Sequence, residues 1–212
     1  MLITFEGIDG AGKSTHTVLL AEWLQSRGHR VRILREPGST QLSEAIRRVL
    51  LDVQQQIDSV AELFLFCAAR RQLVQEVIRP ALEQGEIVIC DRYADSTFAY
   101  QGYGRGLDIA MVEHVIAYAI EDVVPQATFV LDLDVATALA RRGRRAADVA
   151  DRMEGASRQF FERVRAGYHA LAARNPQRVH LLDAAEPVEG LQERIRTIVA
   201  GILARQSAER VA

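Results

Sequence analysis

The segment Gly7-Ile8-Asp9-Gly10-Ala11-Gly12-Lys13-Ser14 follows an apolar run at Leu2–Glu6 and opens a helical pattern. A strand that passes through such a loop straight into a helix leaves few architectures open. Glycines let the backbone turn until several N–H groups converge on one point, and the helix N-terminus adds the positive end of its dipole. The spacing G-x-x-x-x-G-K-[ST] is that of a cradle for nucleotide phosphates. In such a cradle Lys13 reaches the β- and γ-phosphates, and the Ser14 hydroxyl ligates Mg²⁺. Gly7, Asp9, Gly10, Ala11, Gly12, Lys13, Ser14 and Thr15 form the candidate phosphate-binding set.

The rest of the chain repeats the alternation that the loop begins. Leu2–Glu6, Arg30–Leu34, Ile87–Asp91, Thr128–Leu133 and Arg178–Leu182 read as strands, each nearly continuous in apolar residues, as strands covered on both faces are. Between them lie helical spacings such as Val18, Leu19 and Trp23, the run Asp58–Gln84, and Ile195, Ile198, Val199 and Ile202. Gly28 and Gly85 stand where helices stop before a strand. The expectation is an α/β fold, a doubly wound five-stranded parallel sheet of the P-loop type. It forms one domain over 1–212, with function at the carboxyl ends of the strands.

Composition narrows the class of partner. A net charge of −2 over 212 residues removes the case for a bulk nucleic-acid or membrane-surface binder. No apolar run reaches the length of a membrane span, and the opening MLITFEGIDG lacks the basic-then-apolar plan of a signal peptide. Cys67 and Cys90 sit inside apolar runs and read as small buried hydrophobes, which suits a reducing, cytoplasmic setting. The five histidines have no metal-ligand spacing. Of 26 basic residues one alone is a lysine, Lys13, so no second lysine exists for the Asn/Thr-Lys-x-Asp guanine-reading motif of GTPases.

Two further segments carry chemistry. The run Ile87–Asp91 ends in Asp91-Arg92, a carboxylate able to hold Mg²⁺ or its water shell beside a guanidinium able to neutralise phosphate. Arg141 to Arg152 is arginine-rich and too polar for a core helix, a candidate mobile lid at 141–152.

Beyond the loop, the stretches Phe5 to Thr15, Arg35 to Gly38, Phe66 to Arg70, Asp91 to Tyr93, Ser96 to Gln101, Asp151-Arg152 and Asp183 to Pro187 follow one family's order across essentially the whole chain. The sequence resembles the thymidylate kinases. The resemblance implies ATP-dependent phosphorylation of dTMP to dTDP with Mg²⁺ held through Ser14 and Asp91. Phe66 would stack on thymine, and Arg70, one turn on, would donate to a base carbonyl. Thr97 and Gln101 would meet the base's polar edge, beside Ser96, with Tyr100 under the deoxyribose. Arg92 and Arg48 would clamp the acceptor phosphate, Glu36-Pro37 would turn toward it, and Asp9 would serve the acceptor's sugar. Where many members have a second glycine after Pro-Gly, this chain has Ser39.

The loop offers Gly10-Ala11 where some members place an assisting arginine, so the resemblance is to the bacterial type, whose catalytic arginine lies in the lid. One or more of Arg142, Arg144, Arg145 and Arg152 would then close over ATP, with Arg144 and Arg152 counted as catalytic beside Lys13, Asp9 and Arg92. Arg141 would stack on adenine, with Ala184 lining its pocket. The resemblance also implies a homodimer, through apolar helices near Leu63–Leu73 or Met111–Ile120. Two rivals share the cradle: a kinase for another small acceptor, and a regulatory ATP-binding module.

Overall fold

The computed structural model describes residues 1–145, 152 and 156–209, with Arg142, Arg144, Arg145, Ser207 and Glu209 described as helix backbone alone. Leu2–Glu6 (β1) is buried along its whole length and feeds the loop into Lys13–Gln25 (α1). Val31–Arg35 (β2), Gln41–Leu51 (α2), Ser59–Leu73 (α3) and Arg79–Glu83 (α4) follow, then Ile87–Asp91 (β3), Ala94–Thr97 (α5), a π-helical stretch Phe98–Gly104 that carries Tyr100 and Gln101, and Ile109–Ile120 (α6). Ala127–Asp132 (β4), Val135–Arg145 (α7), Arg158–Arg174 (α8), Val179–Asp183 (β5) and Val188–Glu209 (α9) complete the order. The five strands are all parallel in the order β2-β3-β1-β4-β5, the expected doubly wound sheet. No described helix is long and apolar enough to cross a membrane.

Period-two alternation splits the strands between two cores. Ile3, Phe5, Ile89, Phe129 and Leu131 join a cluster with residues of α1, α8 and α9, while Leu2, Val88 and Cys90 join another with α3, α4 and α6. Both cysteines are free and buried.

Several boundaries and faces differ from the expectation. The second and fifth strands start and end one residue later, and the fourth one residue earlier. As an edge strand, β2 is not covered on both faces: Arg32 is exposed and Ile33 is 47% exposed. The core stripe of α1 is Thr17, Leu20, Ala21 and Leu24, not Val18 and Leu19, because the cradle fixes where α1 starts and so its rotation. The run from Asp58 is capped by that carboxylate, which accepts from Val60 and Ala61 N–H, but it is not one α-helix. A π-helical stretch, Val74–Ile78, separates α3 from α4.

Candidate active site

Strand ends bring the site together. The cradle leaves β1, Glu36 follows β2 and donates its N–H to the Asp91 carbonyl at 3.0 Å, and Arg92 follows β3 and donates its N–H to the Phe5 carbonyl at 2.9 Å. In the cradle Gly7 and Gly10 have φ of 127° and 91°, and a Cβ at either would lie 2.5 Å from a carbonyl oxygen, Leu131 and Ala138 respectively. Lys13 is 6% exposed, and its ammonium donates to the Gly7 and Ile8 carbonyls at 3.2 Å and to Asp9 at 3.4 Å. Ser14 donates its hydroxyl to Asp91 Oδ2 at 2.7 Å, which joins the two expected metal residues. Hard oxygens of this kind suit a cation that keeps most of its own water. Among the described residues no three His, Cys, Asp or Glu side chains form a metal cluster.

Beside the cradle lies a cavity of about 160 Å³. It is lined by Asp9, Glu36, Pro37, Phe66, Arg92, Ser96, Thr97, Tyr100 and Gln101, all expected around an acceptor, together with Arg47 and Leu51. Arg92 joins cavity to cradle. One terminal nitrogen donates to the Gly7 carbonyl (3.0 Å) and Ser96 (3.2 Å), the other to Asp9 (2.6 Å) and the Tyr100 hydroxyl (3.2 Å). Its backbone is left-handed at φ 72°, an uncommon and costly state for a side chain of this size. Burial pushes the Asp9 carboxyl up, but the charges of Arg92 and Lys13 outweigh it and hold the group well below the usual carboxylate range.

Two arginines stand differently from the expectation. Arg48 is exposed and outside the cavity, whereas Arg47 lines it and donates to the Pro37 carbonyl at 3.0 Å. One residue along a helix turns the side chain by about 100°, so neighbouring arginines cannot share a role. The buried residues Ser43 and Leu50 mark the inward face of α2, and Arg47 lies four residues after the first of them. Arg70 is 1% exposed and stands behind the wall: it donates to Glu36 (2.7 Å), Thr97 (2.9 Å) and the Tyr93 carbonyl (2.9 Å). Its fork fixes two residues that line the cavity.

Sequence reading missed Glu6, a fully buried carboxyl that accepts from Tyr93 N–H (2.7 Å), Ser96 Oγ and the Tyr168 hydroxyl (2.9 Å). Burial and the Asp95 carboxylate push it up from 4.5 to about 7. Between those values the folded chain keeps a proton that the unfolded chain releases, so Glu6 makes stability fall as pH rises through that window, by about 3 kcal/mol in full. Glu6→Gln is expected to flatten the fall. Melting at about pH 5 and about pH 8 measures it, the difference between the two shrinking by roughly 5–10 °C in the variant. An unchanged difference would assign the slope to other groups.

Known proteins resemble this chain over nearly its whole length. The family described as thymidylate kinase matches residues 5–195. A thymidylate kinase of Roseiflexus sp. (strain RS-1) is 46% identical over 96% of this chain and 95% of its own. One of Chlorobaculum tepidum is 49% identical over 87% of this chain and 89% of its own. The crystal structure of thymidylate kinase from Ehrlichia chaffeensis superposes with a TM-score of 0.76 at 37% identity, covering 94% of this chain and 98% of that one. The chain belongs to the thymidylate kinase family.

Within this thymidylate kinase fold the donor side is partly described. Arg141 of α7 donates to the Ala184 carbonyl at 3.2 Å, which brings together the two residues expected at adenine. Of the arginines expected in the lid, Arg152 donates to the Leu50 carbonyl (2.8 Å) and to Glu62 (2.6 Å). Residues 146–151 of the expected lid, Asp151 among them, lie outside the described residues. The side chains of Arg142, Arg144 and Arg145 do as well.

Proposed function

We propose that the chain is an ATP-dependent kinase that transfers the γ-phosphoryl group of ATP to the phosphate of dTMP, giving dTDP and ADP. The observation that carries this reading is Arg92, a single guanidinium bonded at once to the cradle and to the acceptor cavity. The catalytic work is positioning and charge neutralisation, with no nucleophile from the protein. Lys13 and the loop N–H groups hold the donor phosphates. Arg92, with Arg47 in the place expected for Arg48, holds the acceptor phosphate with forked donors. Asp9, kept ionised by Arg92 and Lys13, is free to accept from the acceptor's 3′-hydroxyl. Phe66 offers a face to the base, and Thr97 and Gln101 meet its polar edge.

Ser14 and Asp91 would hold Mg²⁺. When bound, it supplies positive charge to the β- and γ-phosphate oxygens. The lid arginines, Arg144 and Arg152 with Arg142 or Arg145, belong to this proposal, as do a single domain, a cytoplasmic setting and a homodimer. Leu63, Leu73 and Val112 are buried in the chain's own core, which leaves exposed Phe64 and Tyr118 as the apolar side chains of α3 and α6 for a partner copy. Mass measured against concentration tests the dimer.

A coupled ADP-release assay across nucleosides and nucleoside monophosphates tests the activity. dTMP must release more ADP than dCMP, dGMP or thymidine, and equal rates would sink the reading. Tyr100 is 6% exposed, packs edge-on against Phe160 and Tyr168, and is fixed through its hydroxyl by Arg92. A ring held this firmly leaves little room for a 2′-hydroxyl. Tyr100→Ala is expected to reduce discrimination against the ribonucleotide by roughly 10-fold. Unchanged sugar selectivity would remove that role from Tyr100.

A further inference from the structure

Glu62 lies in α3 four residues before Phe66 and is fully buried. Its Oε1 accepts from Gln101 Nε2 (2.8 Å) and Arg105 Nε (3.1 Å), and its Oε2 from terminal nitrogens of Arg105 (3.0 Å) and Arg152 (2.6 Å). Burial pushes the carboxyl up, but the hydrogen bonds from Arg105 and Gln101, with the arginine charge, hold it below the usual carboxylate range. An ionised carboxylate accepts and never donates.

That charge settles the orientation of a side chain whose two ends have the same shape. The end of the Gln101 amide facing Glu62 is its NH₂, and the carbonyl oxygen is left for the cavity that Gln101 lines. Thymine carries a hydrogen on its N3, whereas cytosine has a bare lone pair there. An amide oxygen pairs with the first and repels the second.

We propose that Glu62 is a specificity-determining positioning residue, which sets the base choice of the acceptor pocket by fixing the Gln101 amide with its oxygen toward the cavity. The proposal rests on reading that cavity as the dTMP site. It adds a determinant that does not itself line the cavity.

Glu62→Gln turns the argument into an experiment. The new amide has one oxygen to offer. Oε2 faces two arginine nitrogens and Oε1 faces one plus Gln101, so the oxygen takes the Oε2 place and the NH₂ takes the Oε1 place. Gln101 must then turn its own oxygen toward residue 62 and its NH₂ toward the cavity. The kcat/KM ratio of dTMP over dCMP is expected to fall by about 100-fold. Glu62→Asp, which keeps the charge, is expected to hold the ratio within about threefold even as kcat/KM itself drops.

The assay measures both substrates with wild type, Glu62→Gln, Glu62→Asp and Gln101→Leu, with cooperative melting checked for each. A folded Glu62→Gln enzyme with the wild-type ratio overturns the proposal, as does an Asp variant that loses the ratio equally. Should Glu62→Gln fail to melt cooperatively, the Asp variant and wild-type binding of 3-deaza-dTMP, in which C–H replaces N3–H, decide. Binding less than about 10-fold weaker than dTMP overturns the proposal. If wild type does not prefer dTMP, what fails is the reading of the cavity; if wild type prefers dTMP and Gln101→Leu leaves the ratio intact, the base is not chosen through Gln101 and the proposal for Glu62 is overturned.

Discussion

Lys13→Arg is expected to lower kcat by about 1,000-fold, near 4 kcal/mol of transition-state stabilisation, while leaving the melting temperature close to wild type. Charge is conserved in this change, so the loss reports shape. The ammonium occupies a niche between the Gly7 and Ile8 carbonyls and the Asp9 carboxylate, 6% exposed, with contacts at 3.2–3.4 Å. A guanidinium is planar and wider and presents its donors in a rigid fork, so it cannot occupy the same point between carbonyls and phosphates. Turnover under saturating ATP and dTMP, with a thermal melt as control, measures the effect. Retention of more than about a tenth of kcat would show that the niche does not select a compact cation.

Arg92→Gln carries the second large effect, a fall of about 1,000-fold or more in kcat/KM for dTMP. The change removes the group that ties cradle to cavity and also the stronger of the two charges that hold Asp9 ionised. With that charge gone, burial weighs more heavily on Asp9 and its carboxyl rises. The acid limb of the pH–rate profile should therefore move to higher pH in the variant. The residual activity of Arg92→Gln, followed across the acid range, is the measurement. A deep loss with an unshifted limb would retain Arg92 as a phosphate clamp and remove its hold on Asp9.

Much of this site was legible because its chemistry is local in sequence. Gly7 to Ser14 is contiguous, and Asp91-Arg92 sits at a strand end whose apolar run is plain. Nine acceptor residues anticipated from motif resemblance line one cavity. What was not legible depends on rotation and on partners far along the chain. Arg47 and Arg48 are identical in composition terms, and only the phase of α2, set by its Thr40 cap and its buried Ser43 and Leu50, separates them. Arg70, which the resemblance implies as a base contact, also binds Glu36 and Thr97, residues far from it in sequence. Glu62 meets Gln101, Arg105 and Arg152, and no single-sequence pattern records such meetings. The exposure of β2 likewise follows from its place at the sheet edge, which its apolar content does not reveal.

Glu62, Phe66 and Arg70 occur at intervals of four along α3: Glu62 holds the Gln101 amide, Phe66 lines the cavity, and Arg70 anchors Glu36 and Thr97. The helix thus works as a ruler with three marks on one edge. A single residue inserted between Glu62 and Phe66 would turn Phe66 and Arg70 together by about 100° relative to Glu62, so both would lose their registration with it while the helix stayed helical. For anyone grafting or redesigning this pocket, the spacing within α3 is the quantity to preserve, ahead of the identity of any residue on its outer face.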